Sequence, residues 1–254
     1  MMNRIQKQYQ TSKNLDIRIS IHQKYSVNKK PFGDWIFSHY EFSSGIRVLE
    51  LGCGTGDMWK GKQDMIKDDI HLTLTDFSSG MLEKAKCNTL ELTNVDYQVV
   101  DIQSIPFAQD SFDMVIANMM LYHVPKLHQG LAEVRRVLKP GGKFYCATYG
   151  EHGIMEFVNY ALRELGISGE IGKTFTLQNG AGILKEHFED ITMYTRDDGL
   201  AVSYIPDFVD YVMSLSSLTG LEGVERKTLI EAFLRRADNG ILYVPKEYGM
   251  FICK

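Results

Sequence analysis

The stretch VLELGCGTGD, residues 48–57, runs an apolar segment straight into Gly52, Gly54 and Gly56. The apolar part reads as a buried strand. The three glycines let the backbone turn tightly and approach a ligand with no Cβ in the way. Residues 57–67 read as a helix, whose free N-terminal N–H groups would suit a phosphate or a carboxylate. Three ligand classes use loops of this kind. A dinucleotide loop follows GxGxxG, and here Asp57 stands where the third glycine would fall. A phosphate-binding P-loop ends in Gly-Lys followed by Ser or Thr. The nearest run, GDMWKGKQ at 56–63, ends in Gln63, which has no hydroxyl for a magnesium ion. The third class is a zwitterionic amino-acid tail. For that ligand the acid Glu50 at the strand end is welcome, because the ligand also carries an ammonium.

Outward from this loop, short apolar runs alternate with amphipathic stretches. Strands are expected at 46–51, 71–75, 95–100, 112–118 and 142–149, with helices at 57–67, 78–91 and 126–138. That alternation predicts a parallel sheet with helices on both faces. Ser78 or Ser79 is the expected cap of the second helix. Pro140-Gly141-Gly142 reads as the stop of the third. Beyond Tyr149 the pattern turns helical, at 151–165, 176–187, 206–217 and 223–238. A strand near 190–196 interrupts it, and a final strand pair, ILYVP and YGMFICK, closes it. Ahead of the loop, Phe32, Trp35, Ile36 and Tyr40 fall at helical spacing behind Pro31. Phe208, Tyr211, Val212 and Leu215 do the same and are read as core.

The composition is that of a globular protein, 44% hydrophobic and 24% charged. The formal charge of −4 lacks the basic excess of a non-specific nucleic-acid binder. The four cysteines, Cys53, Cys87, Cys146 and Cys253, form no CxxC pair and have no zinc-ligand spacing, so no metal is expected. Reduced thiols, an N-terminus without an apolar signal core and no run of 18 apolar residues together lead us to expect a cytoplasmic protein that does not enter a membrane.

Glu50 to Gly56 matches E/D-x-G-x-G-x-G, and the downstream acids Asp76 and Asp101 fall at the expected strand ends. In this the chain resembles the class I S-adenosylmethionine-dependent methyltransferases, specifically over residues 45–150. The resemblance implies an α/β, Rossmann-like doubly wound sheet of seven mostly parallel strands with an antiparallel C-terminal strand. It also implies one domain over 1–254, with an N-terminal cap (1–44), a cofactor-binding core (45–150), a helical lid (about 198–238) and final strands (241–254). The implied cofactor is S-adenosylmethionine, leaving as S-adenosylhomocysteine. Glu50, Gly52, Cys53, Gly54 and Gly56 would form its loop. Asp76 would take the ribose hydroxyls, and Phe77 and Met81 the adenine face. Asp101 and the Ile102 N–H would meet the adenine edge, and backbone carbonyls near Ala117 and Asn118 the ammonium. Asn118-Met119-Met120-Leu121 is not the Asp/Asn-Pro-Pro-aromatic motif of enzymes that methylate base amino groups. That absence tilts the acceptor towards a small molecule and away from nucleic acid. His123 matches a histidine of the small-molecule members, either a general base or a residue that shapes the pocket. Tyr25 is a further pocket candidate, and Trp59 and Tyr149 remain open between pocket and core. Two alternatives stay beside this one: an S-adenosylmethionine-binding protein without catalysis, and a nucleotide-linked oxidoreductase.

Overall fold

The computed structural model describes residues 12–66, 69–169, 172–215 and 218–254, with side chains from residue 17 onward. Helices α1 (Ser12–Tyr25) and α2 (Phe32–Phe37) lead into β1 (Arg47–Leu51), β2 (His71–Asp76), α3 (Ser79–Asn88), β3 (Val95–Val99) and β4 (Phe112–Ile116). Then come α4 (Leu127–Val137), β5 (Leu138–Tyr149), α5 (Ile154–Leu162), β6 (Ser168–Gly169), α6 (Gly180–Leu184) and β7 (Ile191–Val202). The chain ends with α7 (Ile205–Met213), β8 (Leu218–Thr219), α8 (Arg226–Leu234) and β9 (Leu242–Cys253). Seven strands form one sheet in the order β3-β2-β1-β4-β5-β9-β7, mostly parallel with one antiparallel strand. A two-stranded antiparallel pair, β6 and β8, stands apart from it.

The chain falls into two compact units. One comprises residues 32–149, 173–195 and 249–254. Its core lies on both faces of the sheet, because successive strand side chains point oppositely. Val48, Leu72, Met114 and Tyr145 pack on one face; Leu49, Val115, Phe144 and Cys146 pack on the other. The second unit comprises residues 1–31, 150–172 and 196–248, with its own core around Val158, Phe208, Val212, Leu229 and Phe233. Within it Asp198 pairs with Lys246 and Arg196, all three side chains almost fully buried. Tyr25 donates to Asp207 of α7 at 2.8 Å.

Several expectations need correction. The helix expected at 57–67 does not form over the described residues 57–66. Trp59 N–H turns back to Gly56 O at 3.0 Å and Lys62 N–H to Trp59 O at 3.1 Å. Gly61 then takes the left-handed conformation at φ +67°, so only a 3-10 turn, Gln63–Met65, forms. Helix α4 ends at Val137, within a residue of its expected end, with Leu138 already extended at ψ 129°. Lys139-Pro140-Gly141-Gly142 instead opens β5, with a register shift against β4. The expected final strand pair is a single twelve-residue strand, β9. The strand expected near 190–196 runs on to Val202, so residues 198–202 are sheet and not lid. No described helix is long and apolar enough to cross a membrane.

Candidate active site

The carboxyl ends of β1, β2, β3 and β4 carry the candidate cofactor residues, all within the unit that holds residues 32–149. The glycine loop is pinned to β2: Cys53 N–H donates to Thr75 O at 2.8 Å, and Thr75 Oγ1 donates to Glu50 O at 2.7 Å. Gly52, Gly54 and Gly56 all take left-handed φ, +70°, +56° and +73°, which favours glycine at each. Their surroundings differ. A Cβ on Gly52 would meet the Met120 side chain at 3.0 Å, and one on Gly56 would meet the Ala85 backbone at 3.2 Å. A Cβ on Gly54 would meet nothing within 4 Å, so the middle of the loop faces open space.

Asp76 ends β2 directly beside that space. Its carboxylate accepts Gly54 N–H at 2.9 Å and Ser78 N–H at 2.8 Å. Burial raises its pKa, and those N–H donors oppose the rise. Ser78, the true cap of α3, accepts Met81 N–H. Met81 is buried at the first turn, while Phe77 is 57% exposed. Asp101 is held by the Gln103 N–H at 2.9 Å and by the Gln103 amide. Ile102 is buried, its side chain against Gly130 of α4. Asp113, read from sequence as structural, accepts Arg47 N–H and pairs with Lys139.

Glu50 is 3% exposed and accepts the indole N–H of Trp59 at 2.5 Å. Burial lifts its pKa from 4.5 to about 7, with the Trp59 bond opposing and the charge of Asp76 adding. Asn118, just past β4, donates to Tyr40 Oη at 2.6 Å and accepts Ala147 N–H at 3.2 Å. Met119 follows at φ +53°, turning the chain so that Met120 covers Gly52. His123 ends a 3-10 turn, Leu121–His123, its ring 4.4 Å from that of Tyr122. Tyr122 lies 4.6 Å from Tyr149 at the end of β5. The turn thus assembles His123, Tyr122 and Tyr149 into one aromatic cluster. Two small hollows of this unit, one near Gln63, Leu72 and Leu92 and one near Pro125, His128 and Ile183, include no residue of the glycine loop.

Sequence reasoning missed Tyr40 and left Trp59 undecided. Trp59 is fully buried, under Glu50. The helical spacing of Phe32, Trp35, Ile36 and Tyr40 was the available signal for Tyr40. It indicated burial but not the polar partner.

Residues 49–146 match the family model described as a methyltransferase domain. A demethylmenaquinone methyltransferase of Staphylococcus aureus (strain MRSA252) is 34% identical over 132 residues, 52% of this chain and 55% of that protein. The YcgJ protein of Bacillus subtilis shares the fold at TM-score 0.60 and 18% identity, over 87% of this chain and 95% of its own. Phosphoethanolamine N-methyltransferase 2 of Haemonchus contortus, solved with S-adenosylmethionine, does so at 0.59 and 19%, over 96% of this chain and 57% of its own. Residues 49–146 are thus similar to a methyltransferase domain, and the relatives and neighbours point to the class I S-adenosylmethionine-dependent methyltransferases. The cofactor of that class is S-adenosylmethionine. The chain spans about half the length of the curated relatives it matches.

Proposed function

We propose that the protein transfers a methyl group from S-adenosylmethionine to a small organic acceptor by direct displacement. The observation that carries this reading is the left-handed Gly54, facing open space beside the half-buried carboxylate of Asp76. The residues present fit the cofactor. Asp76 has lone pairs for ribose hydroxyls beyond its two N–H bonds, Phe77 offers an exposed ring for adenine, and Asp101 offers a carboxylate for the adenine edge. Gly52, Cys53, Gly54 and Gly56 leave backbone exposed to the amino-acid tail, with Glu50 and the carbonyls near Asn118 for its ammonium. Ile102 and Met81 would act through backbone N–H and side-chain packing respectively. When bound, the cofactor supplies an electrophilic methyl group on a sulfonium sulfur, a good leaving group.

The protein then has mainly to align the acceptor and exclude water. Tyr122 and Tyr149 offer aromatic surface to an acceptor. His123 beside them can take the proton of an acceptor hydroxyl as its oxygen or ring carbon becomes the nucleophile. The names of the curated relatives make an aromatic hydroquinone the first acceptor to try. The formal charge and the missing Pro-Pro motif favour a small molecule over nucleic acid. We place the protein in the cytoplasm, supported by four free cysteines, one of them exposed.

The test is calorimetry followed by turnover. S-adenosylhomocysteine should bind 1:1 and raise the melting temperature, as any ligand selective for the native state does. NAD should not. Radiolabelled methyl transfer should then appear with some member of an acceptor panel led by hydroquinones and phenols. A larger shift with NAD would overturn the cofactor assignment, and binding without any transfer would make the protein a non-catalytic binder.

A further inference from the structure

Tyr40 belongs to none of the family motifs, yet its hydroxyl meets the Asn118 side chain just past β4. It leaves α2 in a turn, its N–H donating to Phe37 O at 3.1 Å. The ring is edge-on to Tyr145 at 5.1 Å and near-parallel to Trp59 at 6.4 Å, which leaves the residue 8% exposed. The hydroxyl oxygen accepts Asn118 Nδ2–H at 2.6 Å, and Asn118 Oδ1 accepts Ala147 N–H. A phenol that accepts from an amide keeps its own O–H to donate. Glu50 is the charged group that acts most strongly on this phenol, and burial keeps the phenol protonated. Glu50 is the penultimate residue of β1, just ahead of the glycine loop, and Asn118 follows β4. An amide stripped of its partner in a buried site pays a desolvation penalty. Without the Tyr40 oxygen the part-buried Asn118 NH2 loses this partner.

We propose that Tyr40 is a positioning residue of the cofactor site. Its hydroxyl holds the Asn118 side chain, itself bonded to Ala147 N–H, and so fixes the backbone past β4 that the amino-acid half of S-adenosylmethionine would meet. This inference rests on the cofactor reading above and adds a residue that no motif contains. Tyr40 acts through Asn118 and need not touch the ligand.

Tyr40→Phe keeps the ring stack and removes only the oxygen. S-adenosylhomocysteine affinity, measured by calorimetry, should fall about 5- to 20-fold, the effect of one lost buried hydrogen bond. Asn118→Ala should weaken binding similarly. The double variant should be little worse than either single one, because both remove the same link. A merely structural tyrosine would lower the melting temperature and leave the affinity of the folded protein unchanged. That result, or two losses that multiply, overturns the positioning role. If Tyr40→Phe does not fold, Asn118→Ala carries the test with the aromatic core whole, and parent-like affinity overturns the proposal. Failure of the parent protein itself to bind S-adenosylhomocysteine would instead sink the cofactor reading, and this proposal with it.

Discussion

Replacing Glu50 by glutamine should stabilise the protein at alkaline pH while harming its ligand binding. The carboxylate is buried against Trp59 and near Asp76, and its pKa rises from 4.5 to about 7. At about 1.4 kcal/mol per unit, that rise is a cost of roughly 3 kcal/mol for keeping Glu50 ionised in the fold. The sign follows from proton uptake. Below the unfolded value Glu50 is protonated in both states and costs nothing. Between 4.5 and about 7 the folded state holds a proton the unfolded state has lost, so stability falls as pH rises. Above that window the cost is constant. Glutamine carries no charge, and its amide oxygen can still accept the Trp59 N–H, so the variant escapes most of this cost. Urea unfolding should show Glu50→Gln gaining about 2 kcal/mol relative to the parent between pH 5 and pH 8.5. Its affinity for S-adenosylhomocysteine at pH 8.5 should fall about tenfold, as the ammonium loses an anionic partner. A stability difference that does not change with pH would refute the reasoning. It would mean that the carboxylate is ionised in the fold and balanced by a cation.

Four further outcomes follow from the same geometry. Asp76→Ala should weaken S-adenosylhomocysteine binding by about 1.5–3 kcal/mol by calorimetry, the range for hydrogen bonds to a charged group; unchanged affinity removes Asp76 from the site. Gly54→Val should abolish binding with native circular dichroism, because its Cβ points into open space at positive φ. Gly56→Val should lower the melting temperature instead, because its Cβ meets the Ala85 backbone at 3.2 Å. His123→Gln should lower turnover about 10²- to 10⁴-fold and abolish the acidic limb of the pH–rate profile if His123 is the base. A raised KM with unchanged kcat would make it a binding contact, and unchanged kinetics a structural residue.

The strands were the most legible part of the fold, because each needs only a short apolar run between turn signals. Arg47–Leu51, His71–Asp76 and Phe112–Ile116 lie within a residue or two of their expected bounds. Segments whose conformation depends on one backbone-special residue were harder. The 57–67 stretch has helical composition, but Gly61 at positive φ and the burial of Trp59 break it into turns. The end of α4, by contrast, falls within a residue of its expected place, with Leu138 already extended.

The candidate site divides along a similar line. Gly52, Gly54, Gly56 and Asp76 were visible because their work is done by backbone conformation and strand position, which spacing encodes. Tyr40 and Trp59 were not, because their work is to satisfy polar groups brought together only by the folded sheet. Trp59 donates to a glutamate nine residues before it, and Tyr40 accepts from an asparagine 78 residues after it. Neither separation has a periodicity that a sequence pattern could reveal. Yet the isolation of these partners in sequence is what makes their coupling testable. If Glu50, Tyr40 and Asn118 form one polar unit, then Glu50→Gln and Tyr40→Phe should be non-additive in ligand affinity, as for groups in one network. Groups that merely share a core, like Phe37 and Phe42, would show no such coupling to the ligand.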